Sequence, residues 1–188
     1  MNIVVFPHKT KEFFFKPDSS LVRDSKDFFP PDFVKEISVA LSVVVKIAKA
    51  AKHTPSEHAN RYYNEWGFGL ILYPENLLKS ACVNLFSIGK ALSPDNTAYV
   101  TDRFLPIDEI RKIDYLKFTI DNIVLFNNIL EIDFQTEIDK SIEEVSKYSS
   151  LKSGDLIFIE IIERVPVNIG NNLKLSYSNQ VYLDFCIR

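Results

Sequence analysis

The run Ile37–Ile47 reads ISVALSVVVKI, with Ile37, Val39, Leu41, Val43, Val45 and Ile47 on alternate positions. A period of two held over eleven residues, every one β-branched or Leu, is the pattern of a strand with one face in the core and does not fit one side of a helix. The intervening residues are Ser38, Ala40, Ser42 and Val44, small side chains, with Lys46 at the end. A face lined by small side chains is either covered closely or stands beside a cavity. The chain has to build a sheet around this strand.

The segment after the strand is read from its punctuation. Thr54-Pro55-Ser56-Glu57 announces a helix, with Thr54 as N-cap, Pro55 at the first helical position and Glu57 placed to complete a capping box. The helix is expected to run to about Tyr63 and stop near Gly67. Trp66 to Tyr73 is then a second buried strand, and Gly67 and Gly69 within it mark a close approach of another backbone. Asn2 to Phe6, Glu12 to Phe15, Ala81 to Ile88 and Thr97 to Phe104 are further strand expectations, with Asn76 to Lys79 as a short linker. Asp121-Asn122 is a tight turn between Tyr115–Ile120 and Ile123–Phe126, and Asn127-Asn128 a turn before Ile129–Ile132. Thr136, with Asp139 three residues on, opens a second helix whose apolar stripe is Ile138, Ile142, Val145 and Tyr148. Leu156–Ile162, Leu173–Tyr177 and Val181–Ile187 are the last strands. Two helices and about ten short strands make a strand-dominated α+β domain.

At 188 residues the expectation is one domain, 1–188, with ample length for a core. A net charge of −3 without any Lys/Arg run argues against a nucleic-acid partner; Lys46, Lys49 and Lys52 read as a solvated face. No stretch approaches the roughly 18 apolar residues of a membrane span, and Met1–Phe6 lacks the basic flank and length of a signal peptide. Cys82 and Cys186 make neither a disulfide framework nor a zinc site, and read as small core residues in a reducing compartment. A cytoplasmic location is the expectation.

Several segments together carry a resemblance. Phe15-Lys16-Pro17-Asp18-Ser19-Ser20, Phe28-Phe29-Pro30-Pro31-Asp32-Phe33, Ala59-Asn60-Arg61-Tyr62-Tyr63, Gly67-Phe68-Gly69, Leu151-Lys152-Ser153-Gly154-Asp155-Leu156-Ile157-Phe158 and Leu183–Arg188 stand in order along the chain. Their order and spacing resemble the fumarylacetoacetate hydrolase family, in particular its 2-hydroxyhepta-2,4-diene-1,7-dioate isomerase and acylpyruvase type. The resemblance implies a layered, rolled, mixed β-sandwich with two short helices, and a homodimer. It also implies hydrolysis, isomerisation or decarboxylation of oxo-acids around Mg²⁺, Mn²⁺ or Ca²⁺. In that family a Glu-x-Glu pair on a strand and an Asp on the next strand hold the ion, since alternate positions point to one face and a hard cation wants oxygen ligands.

The departures fall on those ligands. Ala40 and Ser42 stand at the positions matching the paired glutamates, and Ile71 at the position matching the Asp. After Phe158, Ile159-Glu160-Ile161-Ile162-Glu163-Arg164 replaces a Gly-Thr-Pro loop. The loop that would carry a catalytic His and Glu is reduced to Pro7-His8-Lys9-Thr10. The expectation is a homologue with vestigial metal positions, no metal and no cofactor, and a binding, regulatory or structural role. The alternative is an active enzyme on small oxo-acids with a rebuilt site. Lys79 falls near the family's substrate-contacting lysine and can hold a small carboxylate, or is a solvent lysine. Glu36, Glu65 and Glu75 flank the former metal strands, with Glu36 on the Ser38/Ala40/Ser42 face. His53 and His58, five apart, are metal or acid–base candidates or surface and cap residues.

Overall fold

The computed structural model describes residues 1–81, 87–112, 115–128 and 134–188. In chain order its elements are β1 (Ile3–Phe6), β2 (Phe14–Lys16), β3 (Leu21–Val22), β4 (Ile37–Ile47), α1 (Ser56–Ala59), β5 (Tyr63–Pro74), α2 (Glu75–Ala81), α3 (Ser87–Leu92), β6 (Ala98–Val100), β7 (Leu105–Pro106), β8 (Leu116–Ile120), β9 (Ile123–Asn128), α4 (Phe134–Tyr148), β10 (Leu156–Glu160), β11 (Val165–Val167), β12 (Asn172–Tyr177) and β13 (Gln180–Cys186). Nine strands form a mixed sheet along the path β2-β1-β10-β4-β5-β6-β3, with β11 beside β4 and β7 beside β5. Four more, in the order β13-β12-β8-β9, form an antiparallel sheet. The expected strand-dominated α+β architecture is the observed one.

β4 is the long strand that the alternation predicts, and it is buried on both faces. Its Val39, Leu41, Val43, Val45 and Ile47 join Trp66, Phe68 and Leu70 of β5 in the larger core. That core is closed by Leu116, Phe118, Leu173, Leu175, Leu183 and Phe185 of the second sheet and by Ile138, Ile142 and Val145 of α4. Rings join the two sheets: Tyr99 stacks on Phe185 at 3.8 Å, and Phe68 meets Tyr177 at 5.2 Å. The other face of β4 carries Ala40 and Val44 into a smaller core with Ile3, Val5, Ile71, Tyr73, Ala98, Val100, Leu156 and Phe158. Leu78 of α2 and Leu92 of α3 pack onto it. The small-residue face is thus covered closely.

Gly69 of β5 does what the sequence predicts, whereas a Cβ at Gly67 would meet the Thr101 side-chain oxygen, at 2.9 Å, before any backbone atom. A Cβ at Gly69 would lie 2.6 Å from the carbonyl oxygen of Tyr99, 2.5 Å from the Phe158 ring and 2.8 Å from a Val44 methyl. The turn Asp121-Asn122 has positive φ at both residues, as the hairpin between β8 and β9 requires. Asp155, buried at the start of β10, accepts the backbone N–H of Asn2 at 2.7 Å, the Asn2 side-chain amide at 3.0 Å and the N–H of Lys152 at 2.8 Å. It ties the beginning of β1 to the turn before β10, where the two strands pair in parallel.

Other expectations are corrected. The linker Asn76–Lys79 is part of α2, so helical cover does lie over the smaller core, and in place of the two helices expected there are four among the described residues. Ala81–Ile88 is not one strand: Ala81 ends α2 and Ser87-Ile88 begin α3. Residues 82–86, with Cys82, and the strand expected at Ile129–Ile132 lie outside the described residues. The first helix is one turn, Ser56–Ala59, with Pro55 rather than Thr54 at its cap. Glu143 of α4 accepts the Ser56 N–H at 3.0 Å, supplying from elsewhere the capping acceptor that the local sequence assigns to Thr54. Asn127-Asn128 belongs to β9 rather than to a turn, α4 starts two residues before Thr136, and Tyr148 is exposed. Cys186 is half-buried rather than core.

Lys16 is 3% exposed, its ammonium donating to the Leu92 carbonyl at the end of α3 at 2.9 Å. Burial lowers its pKa from 10.5 to about 8. Between these values the unfolded chain holds a proton that the folded one has lost, so stability rises with pH across that window. Relative to Lys16→Met, the protein is expected to gain about 3 kcal/mol from pH 8 to pH 10.5 in urea unfolding; parallel pH curves would show that the ammonium is not desolvated. Gly69→Ala forces the Phe158 ring or the β6 backbone to move. It should cost about 1–3 kcal/mol, read as a lower urea midpoint at an unchanged slope.

Candidate functional site

The three positions aligned with the family's carboxylates lie on neighbouring strands. In the β4–β5 register Ala40 stands opposite Ile71, and Ser42 opposite Gly69, with Glu160 of β10 on the other side of Ser42. All three side chains are fully buried. The room that the missing Gly69 Cβ leaves is taken by the Phe158 ring and by Val44. The side-chain oxygen of this trio, Ser42 Oγ, is buried without a hydrogen-bond partner among the described residues. A hard divalent cation takes six or more oxygens, usually with anionic carboxylates among them. One hydroxyl among an alanine, an isoleucine and a phenyl ring does not fit such an ion.

Polar chemistry begins where the smaller core ends. Ser38 and Tyr73 face each other in the same register. The Tyr73 hydroxyl donates to Glu160 Oε1, and the His8 N–H donates to Glu160 Oε2 at 3.1 Å. Burial raises the Glu160 pKa above the ordinary carboxylate value, against the hydrogen bonds from Tyr73 and His8. Burial first, then the neighbouring Glu160 charge, lifts Tyr73 well above its usual range, so its proton stays in the pair. The Arg164 guanidinium lies 4.6 Å from the Tyr73 ring centroid, with Nη1 3.3 Å from Glu75 Oε1. Ser38 Oγ donates to that same Glu75 oxygen.

This edge opens into a cleft of about 710 Å³ whose walls include Glu36, Ser38, Glu75, Lys79, Arg164 and Val167. Lys79, the lysine singled out from the sequence, lines it and is ion-paired to Glu36. The hydrogen bond that Lys79 donates to Glu36, followed by the Glu36 charge, raises the Lys79 pKa, so the ammonium is charged at neutral pH. Glu36 and Ser38 line the same cleft, together with Ile37 between them and Lys35 beside them.

Glu65 is elsewhere, paired with Lys46 at 2.8 Å. His58 meets the exposed Glu57, at 3.5 Å, and His53 occupies a positive-φ position beside α1. Among the described residues no three His, Cys, Asp or Glu side chains gather in a way that would hold a metal ion. Three groups went unassigned in the sequence: Tyr73, Glu160 and Arg164. The available signal for two of them was Glu160 at the end of an apolar run and Arg164 just beyond it, in the place of the Gly-Thr-Pro loop.

The sequence matches no protein-family model and no curated protein. Solved structures match over the whole chain. A fumarylacetoacetate hydrolase family protein from Yersinia pestis superposes with a TM-score of 0.81 at 19% identity, covering 100% of this chain and 92% of that one. Fumarylpyruvate hydrolase from Pseudomonas aeruginosa, solved in complex with Mn²⁺ and pyruvate, gives 0.79 at 14% identity, covering 100% and 90%. A 2-hydroxyhepta-2,4-diene-1,7-dioate isomerase from Mycobacterium marinum gives 0.77 at 15% identity, covering 99% and 73%. The chain has the fold of the fumarylacetoacetate hydrolase family. The Mn²⁺ in the Pseudomonas protein overturns the expectation that no cofactor goes with this chain: the fold is one in which a divalent metal is found, and three substitutions do not exclude one.

Ile71→Asp puts a carboxylate into the filled space opposite Ala40 and should destabilise the fold by about 3–5 kcal/mol, as an uncompensated buried charge does. The triple variant Ala40→Glu, Ser42→Glu, Ile71→Asp should be less stable still without metal, through like-charge repulsion. Mn²⁺ should restore it by about 2.7 kcal/mol at a hundredfold excess over its dissociation constant. A melting temperature that Mn²⁺ moves no more than in the parent would show that the three positions are not a ligand set.

Proposed function

We propose that this chain is a diverged member of the fumarylacetoacetate hydrolase family that no longer works through the three-carboxylate position. In this reading it binds a small carboxylate in the cleft beside that position, in a binding or regulatory role. One observation carries the reading. Ala40, Ser42 and Ile71 are packed shut, while two cations, Lys79 and Arg164, face an open cleft further along the same strands. Lys79 supplies a charged donor for a carboxylate. Arg164, flattened against Tyr73, supplies a planar one whose geometry suits two carboxylate oxygens. In this reading the chain is one domain, a homodimer as the resemblance implies, and cytoplasmic. Among the described residues no helix is long and apolar enough to cross a membrane.

A second reading is favoured by Glu160. A buried carboxyl with a raised pKa, beside Ser42 and bonded to Tyr73 and to the short His8 loop, has the makings of a general acid in a rebuilt oxo-acid site.

Pyruvate is a suitable probe, since it occupies the Pseudomonas structure. Titrated by calorimetry with and without Mn²⁺, the parent should bind it, and Lys79→Met should bind it about three- to tenfold more weakly. Acylpyruvates should not be cleaved faster than in buffer, Mn²⁺ supplied. Turnover that Glu160→Gln abolishes would replace the first reading with the second; absence of pyruvate binding in the parent would remove the cleft as a carboxylate site.

A further inference from the structure

Both anchors of the cleft are already engaged by carboxylates of the chain itself, and the two engagements differ in kind. Glu75 is held twice, by Ser38 Oγ and by Arg164 Nη1, and its side chain is 26% exposed. Among the described residues the Glu36 carboxylate is held once, by the Lys79 ammonium, and its side chain is 54% exposed. Their backbones are fixed together. The Glu75 N–H donates to the Glu36 carbonyl at 2.8 Å. Asn76 Oδ1 accepts the N–H groups of Lys35 at 2.9 Å and Glu36 at 3.3 Å, and its amide donates to the Phe33 carbonyl at 2.9 Å. This clasp joins the lead-in of β4 to the first turn of α2 and sets the Glu36 carboxylate within reach of Lys79.

We propose that Glu36 is a built-in competitor of the cleft: its carboxylate occupies the Lys79 ammonium that an incoming carboxylate needs, and a ligand enters by displacing it. The proposal rests on the carboxylate reading above and adds the internal group that regulates it. The exchange is one carboxylate for another on the same ammonium, so no proton moves. Glu75 is not displaced; its two partners keep it in place, where it orients Arg164. Because an ion pair this exposed is weak in water, Glu36 reduces affinity by a modest factor and leaves the cleft accessible.

The test is calorimetric titration of pyruvate into the parent, Glu36→Gln and Glu57→Gln at low ionic strength. Glutamine at 36 keeps the shape and removes the charge, and position 36 is exposed, so the fold should hold, as checked by melting. Glu57→Gln makes the same charge change at the other end of the β4–β5 pair, within α1. Glu36→Gln should bind pyruvate roughly two- to fivefold tighter than the parent, in line with the small worth of an exposed pair, with Glu57→Gln unchanged. Equal or weaker binding by Glu36→Gln, with the parent still binding through Lys79, overturns the competitor and leaves the cleft reading intact. An equal gain in Glu57→Gln also overturns it, since net charge alone would then explain the result. Failure of every protein to bind, Glu36→Gln included, overturns the cleft reading and the competitor with it.

Discussion

The β4–β5 pairing is the constraint on which the rest of the molecule hangs. Its register runs from Ile37 opposite Pro74 to Ile47 opposite Tyr63, with one irregularity near Lys46. Since a strand's side chains alternate, a slip of one residue would turn the apolar set of β4 out of the larger core and its small residues into it. The larger core, with its rings from both sheets, locks that register from one side; the close fit of Phe158 and the Tyr99 backbone against Gly69 locks it from the other. Much of the site is then placed by counting along two strands: Ala40, Ser42 and Ile71 in the middle, Ser38 and Tyr73 two residues on from Ala40 and Ile71, and Glu36 and Glu75 just beyond the strand ends.

Along these strands the interior and the rim differ in kind. Around Ala40 and Ile71 the chain packs methyl groups and the Phe158 ring, which gain free energy from being buried, with the Ser42 hydroxyl as the one polar side-chain atom of the trio. Charged and hydrogen-bonding groups are kept at the rim, where water can still reach Lys79 and Glu36 and where Arg164 has a ring face to lie on. Two ionisable groups of opposite sign that do lie inside are handled differently. Glu160 keeps two hydrogen-bond donors, while Lys16 donates to the Leu92 carbonyl and gives up part of its basicity.

The sequence is most legible where one local rule settles the outcome. Alternation reads out β4, Gly69 marks the close backbone approach on β5, and Asp121-Asn122 needs only its own φ angles to make a hairpin. The trio Ala40, Ser42 and Ile71 is brought together as alternation and the resemblance imply, and Lys79 does face a cleft. Illegible features depend on partners far along the chain. The capping of α1 comes from Glu143, which no reading of Thr54–Glu57 could supply. Helix α2 hides because Glu75–Ala81 is short and has no clean stripe, although Pro74 and Glu75 stand at its start, and it is held by its packing on the smaller core. The Glu160–Tyr73 pair needs the neighbourhood of β10 to β4, and no property of either segment alone encodes which strands lie side by side.

The tie made by Asp155 also sets an order of events. β10 is the strand that fills the gap between β1 and β4, and the bonds from Asn2 to Asp155 span 153 positions of sequence. As the chain emerges from the ribosome, β1 and β2 can form no more than a ribbon with one open margin, and β4 and β5 a second, until the turn at Lys152–Asp155 has been synthesised. Contacts so distant are slow to close, and unpaired strand margins invite wrong partners while they wait. The central seam of this protein therefore closes only after β10 has been made, and until then two half-sheets stand with their inner margins unpaired.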